Sequence, residues 1–259
     1  MIEVNKIYNE NCLDTMSRMD DNFIDLTVTS PPYDNLRTYN GYEFDFESIA
    51  KELYRVTKKG GVVVWVVGDA TINGSETGTS FKQALYFKEC GFNLHDTMIW
   101  NKGSFTAVGS LKHRYAQTFE YMFVLTKGTI KTFNPIKDRK NKVKGRIGGN
   151  LRKADGSMVE MSTDGKQRTE YGQRFAIWDQ PPCGGNKTGH PAPFPKTLIK
   201  DHILSWSNKD DLVYDPFMGS GTTAKMAIEL NRNYIGSEIS EEYCKIIERR
   251  IANSEPELF

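Results

Sequence analysis

Cysteine is scarce in this chain. Its four residues, Cys12, Cys90, Cys183 and Cys244, stand far apart and form no Cys-x-x-Cys pair. Neither a disulfide framework nor a zinc site follows, and reduced thiols in a cytoplasmic protein are the simplest reading. The four histidines, His95, His113, His190 and His202, have no paired spacing, so no metal constellation is expected. The longest apolar run, Val62 to Val67, is far too short to span a bilayer. No basic segment followed by an apolar core opens the chain, which argues against a signal peptide. Net charge is only +1 over 259 residues, so global charge does not announce a polyanion binder. Repeats and low-complexity tracts are missing as well.

What is present is an alternation of strand and helix signals. Ile2 to Tyr8, Ile24 to Thr29, Val62 to Val67, Leu212 to Tyr214 and Tyr234 to Ile239 read as strands. Leu13 to Met19, Ser48 to Thr57, Ser80 to Cys90, Thr197 to Trp206, Thr222 to Leu230 and Ser240 to Ile251 have helical spacing. Phe92 to Trp100 and Tyr121 to Leu125 are separated by a short stretch without helical pattern, which predicts an antiparallel pair. The whole implies an α/β fold with a largely parallel sheet covered on both faces.

The strand Ile24 to Thr29 runs straight into Ser30-Pro31-Pro32-Tyr33. Two prolines fix φ and remove two backbone donors, and the residue before each is pushed out of the helical region. Carbonyls near Ser30 and Pro31 are then left facing outward, beside a hydroxyl and the Tyr33 ring. Acceptors next to a stacking surface suit a flat ring that carries an exocyclic amine. Alone, the tetrapeptide could equally be a rigid surface turn.

A second corner follows late in the chain, at Asp215-Pro216-Phe217-Met218-Gly219-Ser220-Gly221-Thr222-Thr223. Here a strand-end acid leads into a glycine turn and then a helix, whose N-terminus offers unsatisfied N–H groups. Glu238 ends the next strand, at the distance where an acid can reach ribose hydroxyls. The third glycine of a dinucleotide fingerprint is lacking, and so is the Gly-Lys-Ser/Thr of a Walker loop. A ligand with a ribose but no phosphate fits better.

Together, Ser-Pro-Pro-Tyr and Asp-Pro-Phe-x-Gly-Ser-Gly-Thr-Thr resemble the amino-group DNA methyltransferases that use S-adenosylmethionine. The motif order, catalytic first and cofactor last, is similar to the permuted β group of that family, over about 1–126 and 175–252. The resemblance implies a Rossmann-like, seven-stranded, mostly parallel sheet with one antiparallel strand and helices on both faces. It implies S-adenosylmethionine as cofactor, held by Thr29, Asp215, Pro216, Phe217, Gly219, Ser220, Gly221, Thr222, Thr223 and Glu238. Phe194, Pro195 and Lys196 match the stretch that covers the methionine end. Where the family commonly has Gly-Asp after the first strand, this chain has Glu10-Asn11; Asn11 inherits the adenine contact, or Glu10 if the pairing shifts by one. The catalytic set is Ser30, Pro31, Pro32 and Tyr33, acting on a nucleotide flipped from the duplex. Serine before Pro-Pro-Tyr favours N4 of cytosine over N6 of adenine. Pro182-Cys183 invites comparison with carbon-5 cytosine enzymes, but the cofactor motif follows it rather than preceding it and no Glu-Asn-Val accompanies it.

Composition shifts at Lys127. From there to Lys153 stand ten Lys and Arg against one acid, Asp138. The organisation expected is a catalytic half, 1–126, a basic target-recognition insertion, 127–174, and a cofactor half of the same domain, 175–259. Lys137, Arg139, Lys140, Lys142, Lys144 and Arg146 are the candidate phosphate contacts on double-stranded DNA, with glycines suggesting a segment that orders on binding. The sequence does not single out the base-reading residues, for which Arg152, Gln167 and Arg168 are no more than candidates, and Thr71 to Thr79 reads as a loop. A homodimer, a cognate restriction endonuclease and a nucleoid-associated location in the cytoplasm complete the expectation. Methylation of RNA or of a protein amide, and a DNA-binding module without catalysis, are the competing readings.

Overall fold

The computed structural model describes residues 2–32, 44–104, 111–161, 163, 165–182, 194–252 and 254. Tyr33, Cys183 and His190 lie outside them. Two compact units divide the chain: Met1–Asn134 with Ala176–Phe259, and Pro135–Phe175.

In chain order the elements are β1 (Lys6–Tyr8), α1 (Cys12–Ser17), β2 (Ile24–Thr29), α2 (Phe46–Val56), β3 (Thr57–Val67), β4 (Thr71–Ile72), β5 (Ser75–Glu76), α3 (Thr79–Glu89), β6 (Asn93–Asn101) and β7 (Phe119–Thr126). There follow β8 (Arg139–Lys140), β9 (Asn150–Arg152), β10 (Met158–Glu160), β11 (Tyr171–Gly172), β12 (Ile177–Asp179), α4 (Lys196–Trp206), β13 (Leu212–Asp215), α5 (Thr222–Glu229), β14 (Asn233–Ser237) and α6 (Glu241–Ala252).

The larger unit is built on an eight-stranded sheet in the order β1-β14-β13-β2-β3-β7-β6-β12. All neighbours pair in parallel except β7, which runs antiparallel to both β3 and β6. The short edge strand β12 takes the expected seven to eight. β3 shows why both faces are covered: Val62, Val64 and Val66 enter one apolar cluster, and Val63, Trp65 and Val67 the other. A period-2 strand with no polar face must be roofed on both sides. On one side α2 buries Ile49, Ala50, Leu53 and Val56, with Phe87 of α3 beside them. On the opposite side lie Leu198, Ile199 and Ile203 of α4, Ala224 and Ala227 of α5, and Ile247 of α6.

Two expectations change in detail. β1 is shorter than Ile2 to Tyr8, because Asn5 adopts φ 61° and its side chain instead bonds Asn233 and the Tyr234 amide. Thr71 to Thr79 holds a hairpin, β4–β5, turned by Asn73 and Gly74 at φ 50° and 83° and tied down by the Arg114 guanidinium. Two positive φ values in succession are the requirement of the Asn-Gly hairpin turn.

The smaller unit contains more regular structure than its glycine-rich, polar sequence suggests. β8 pairs antiparallel with β11, and the ladder continues through Asn141 to Glu170, Arg168 to Gly145, and Ile147 to Lys166 and Gly165. The β9–β10 hairpin is inserted at the end of this ladder.

Candidate active site

The carboxyl ends of β2 and β13 lie side by side, with Val213 opposite Leu26 and Tyr214 opposite Thr27. From β13 the chain crosses through α5 on one face of the sheet, and from β2 through α2 on the other. A crevice opens where successive connections leave in opposite directions, and ligands of open α/β sheets bind there. Both sequence corners sit at that point: Ser30 and Pro31 follow the last residue of β2, and Asp215 ends β13.

A hydrogen bond joins the two corners. Thr29 Oγ1 donates to Asp215 Oδ1 at 2.6 Å. The same carboxylate accepts from Phe217 N at 3.0 Å and from Thr223 Oγ1 at 2.7 Å. Asp215 is 3% exposed. Burial pushes its carboxyl above the usual aspartate range, while the bonds from Thr29, Thr223 and Phe217 oppose that shift. Asp215 therefore closes the glycine turn on itself and fastens it to the strand that carries Ser30. Ser30 is half-buried, Pro31 is buried and Pro32 is half-buried.

Glu238 braces the turn from the next strand. Its carboxylate accepts from Gly219 N and from Ser240 N, each at 2.8 Å. Burial raises its pKa, and those amides act in the other direction. The Glu238 amide donates to the Tyr8 carbonyl, and Asn9 Nδ2 to the Glu238 carbonyl, so the ends of β1 and β14 are held together. Gly221 has φ 80° and opens α5, and a Cβ there would stand 2.8 Å from Ile247. Gly219 also has positive φ. This is a bare backbone cradle flanked by two buried acids, with a helix N-terminus beneath it. Such a donor and acceptor set fits the ribose and amino-acid portions of a nucleoside cofactor.

The other sequence candidates are placed as follows. Asn11 caps α1, its Oδ1 accepting from Leu13 N at 2.9 Å, which leaves that oxygen a second lone pair. Glu10, the alternative, is turned toward Thr15 and an ion pair with Arg18. Asn11 also lines a cavity of about 840 Å³ with Phe44, Phe46, Thr79, Gln83 and Tyr86, and the Phe44 ring meets Phe217 edge-on at 5.7 Å. Phe194 meets Trp100 edge-on, Pro195 is buried at the start of α4, and Lys196 is exposed. Ser220, Thr222 and Thr223 are all buried. In the smaller unit, Lys137, Lys140, Lys142, Lys144 and Arg146 are exposed. Arg139 is drawn inward, its Nε on the Gln173 carbonyl and its guanidinium 4.4 Å over the Phe175 ring.

Sequence reading missed Arg250. This α6 residue donates through Nη1 to the Ser220 carbonyl and hydroxyl, and through Nη2 to Thr222 Oγ1 at 3.4 Å. Its cue was faint: one of two adjacent Arg residues, Arg249 and Arg250, in the last turn of an amphipathic helix. Arg250→Ala is expected to weaken cofactor binding about tenfold, since charged hydrogen bonds of this kind contribute roughly 1.5–3 kcal/mol. Equilibrium binding of the cofactor to wild type and variant checks this.

Burial holds two of the thiols, Cys12 and Cys244, in the protonated form. Burial pushes Cys12 up to about 12 and Cys244 up to about 11. Both remain protonated at pH 8, so a brief pulse of iodoacetamide on the folded protein, followed by peptide mass mapping, is expected to leave them unlabelled. Among the described residues no cluster of His, Cys, Asp and Glu could hold a metal ion. No helix among them is long and apolar enough to cross a membrane.

The family model for N6/N4-type DNA methylases matches residues 24–249. The chain is 60% identical over 240 residues to the orphan methyltransferase M.BamHII of Bacillus amyloliquefaciens, covering 89% of each. The solved PvuII DNA methyltransferase, cytosine-N4-specific, superposes with a TM-score of 0.73 at 20% identity, covering 96% of this chain and 87% of that one. The solved M1.HpyAVI–SAM complex gives 0.65 at 22% identity, covering 95% of this chain and 98% of that one. These structural likenesses concern the fold, whereas the family match runs through both corners of the crevice. The chain belongs to the N6/N4 DNA methylase family.

Proposed function

We propose that this protein methylates the exocyclic amine of a base flipped out of double-stranded DNA, with N4 of cytosine as the favoured target. The observation that carries the reading is the Thr29–Asp215 bond, which fixes the amine-binding corner to the cofactor turn. S-adenosylmethionine, when bound, supplies an electrophilic methyl group. Asp215, Gly219, Gly221 and Glu238 hold it, and Asn11, Phe217, Phe194, Pro195 and Lys196 complete its surroundings. Ser30 Oγ and the Pro31 carbonyl accept from the target amine and localise its lone pair, which conjugation with the ring otherwise spreads. Tyr33 stacks on the base. The contribution of these groups is positioning and electrostatics, with no covalent enzyme intermediate.

Serine at position 30 favours cytosine; N6 of adenine is the second reading, since the same two acceptors suit either amine. A homodimer and a cognate endonuclease belong to the wider proposal. Expressing the protein in a host without DNA methylation and sequencing that genome by a single-molecule method is the test. N4-methylcytosine at one recurrent sequence is expected. N6-methyladenine at one sequence would replace the first reading by the second, and an unmodified genome together with methyl transfer to RNA or protein would sink both.

A further inference from the structure

The smaller unit separates into two parts with different chemistry. Within Pro135–Phe175 there are eleven Lys and Arg against five Asp and Glu, although the whole chain carries only +1. The β8–β11 ladder bears most of the lysines. Beyond it, the β9–β10 hairpin pairs Asn150 with Glu160, Leu151 with Val159 and Arg152 with Met158. Residues 148–158 and 160 are all exposed. Leu151 and Met158, apolar as they are, stand 54% and 57% exposed.

A two-stranded ribbon in which Val159 alone is partly covered is marginal by itself. This one is held at its tip, where Asp155 Oδ1 accepts from Ser157 N at 2.9 Å and Ser157 Oγ at 2.7 Å, and Lys153 N donates to the Ser157 carbonyl at 2.8 Å. Cross-strand partners share a face, so Asn150, Arg152, Met158 and Glu160 form one side of the ribbon. Their heads match base edges: Arg for guanine, Asn for adenine, Glu for the cytosine amine, and an apolar side chain for the thymine methyl. The major groove admits a ribbon of this width.

We propose that the β9–β10 hairpin enters the major groove of duplex DNA and reads sequence there, while the lysines of the ladder bind phosphate. The assignment rests on the reading of the chain as a DNA methyltransferase. Charge supports the partner: a net positive unit carries the ribbon to a polyanion. Affinity and specificity are thereby divided between two stretches of one small unit.

Three variants test this, scored by the methylation rate at the preferred site against near-cognate sites and by non-specific duplex affinity over a salt series. The double variant Asn150→Ala with Arg152→Ala is expected to lose site discrimination by about tenfold to a hundredfold. Arg152→Lys keeps the charge and loses the fork, so it is expected to lose discrimination with its salt slope unchanged. Lys142→Ala with Lys144→Ala is expected to do the reverse: weaker binding to every sequence, a salt slope lower by about 2, and discrimination retained. Wild-type discrimination in both hairpin variants would overturn the proposal while leaving the methyltransferase reading intact. A wild type that modifies no DNA would overturn that reading and this one together.

Discussion

Asp215→Ala is expected to lower cofactor affinity by about a hundredfold or more. The carboxylate is the acceptor for three separate donors, Thr29 Oγ1, Thr223 Oγ1 and Phe217 N, all of which belong to the proposed cofactor site. A buried donor left without a partner costs about 1–3 kcal/mol, so even the low end of three such losses reaches about 3 kcal/mol. At about 1.4 kcal/mol per decade that is two orders of magnitude. Asp215→Asn should suffer far less, about tenfold, because its amide oxygen still serves two donors and the Thr223 hydroxyl can turn to accept from the new NH₂. Titration calorimetry with S-adenosylmethionine on the three proteins separates the outcomes. Equal affinity in Asp215→Ala and wild type would show that the turn keeps its shape without this residue.

Ser30→Ala is expected to act on the other half of the reaction. If Ser30 Oγ accepts from the amine as it becomes nucleophilic, its removal costs transition-state stabilisation and spares cofactor binding. The loss of one such preorganised group costs about a hundredfold to a thousandfold in kcat. Cofactor affinity should stay within about twofold, since Asp215, Glu238 and the glycine turn are unchanged. Single-turnover methylation of a duplex containing the preferred site gives the chemical rate directly. A variant that transfers methyl groups at the wild-type rate would remove Ser30 from the mechanism and leave the Pro31 carbonyl as sole acceptor.

Much of this arrangement was legible in the chain itself. The strand Ile24 to Thr29 was readable to its last residue, because apolar positions on both faces end at two prolines. The antiparallel pair β6–β7 followed from the lack of a crossover helix between two strand patterns. The part played by Glu238 was less visible. Its distance from the glycines suggested a ribose contact, but its carboxylate already holds two backbone amides, a tertiary arrangement that spacing alone does not encode. The basic unit hid its ladder for a different reason. Backbone hydrogen bonds such as Arg168 N to the Gly145 carbonyl build it, and few buried side chains do, so no hydrophobic period marks the strands. Arg250 escaped because a long-range bond from one helix to a turn thirty residues earlier leaves no local trace.

That last contact reaches beyond the crevice. Ser254 Oγ donates to the Arg250 carbonyl and accepts from Lys225 Nζ, so the final turn of α6 is laced to the helix that the glycine turn begins. Helix ends are the first backbone to fray as a protein warms. Unwinding there would release Ser220 and Thr222 while the sheet stayed intact. The demand for cofactor would therefore climb at temperatures below the melting point, and a bulky tag fused behind α6 would produce the same symptom in an otherwise folded enzyme.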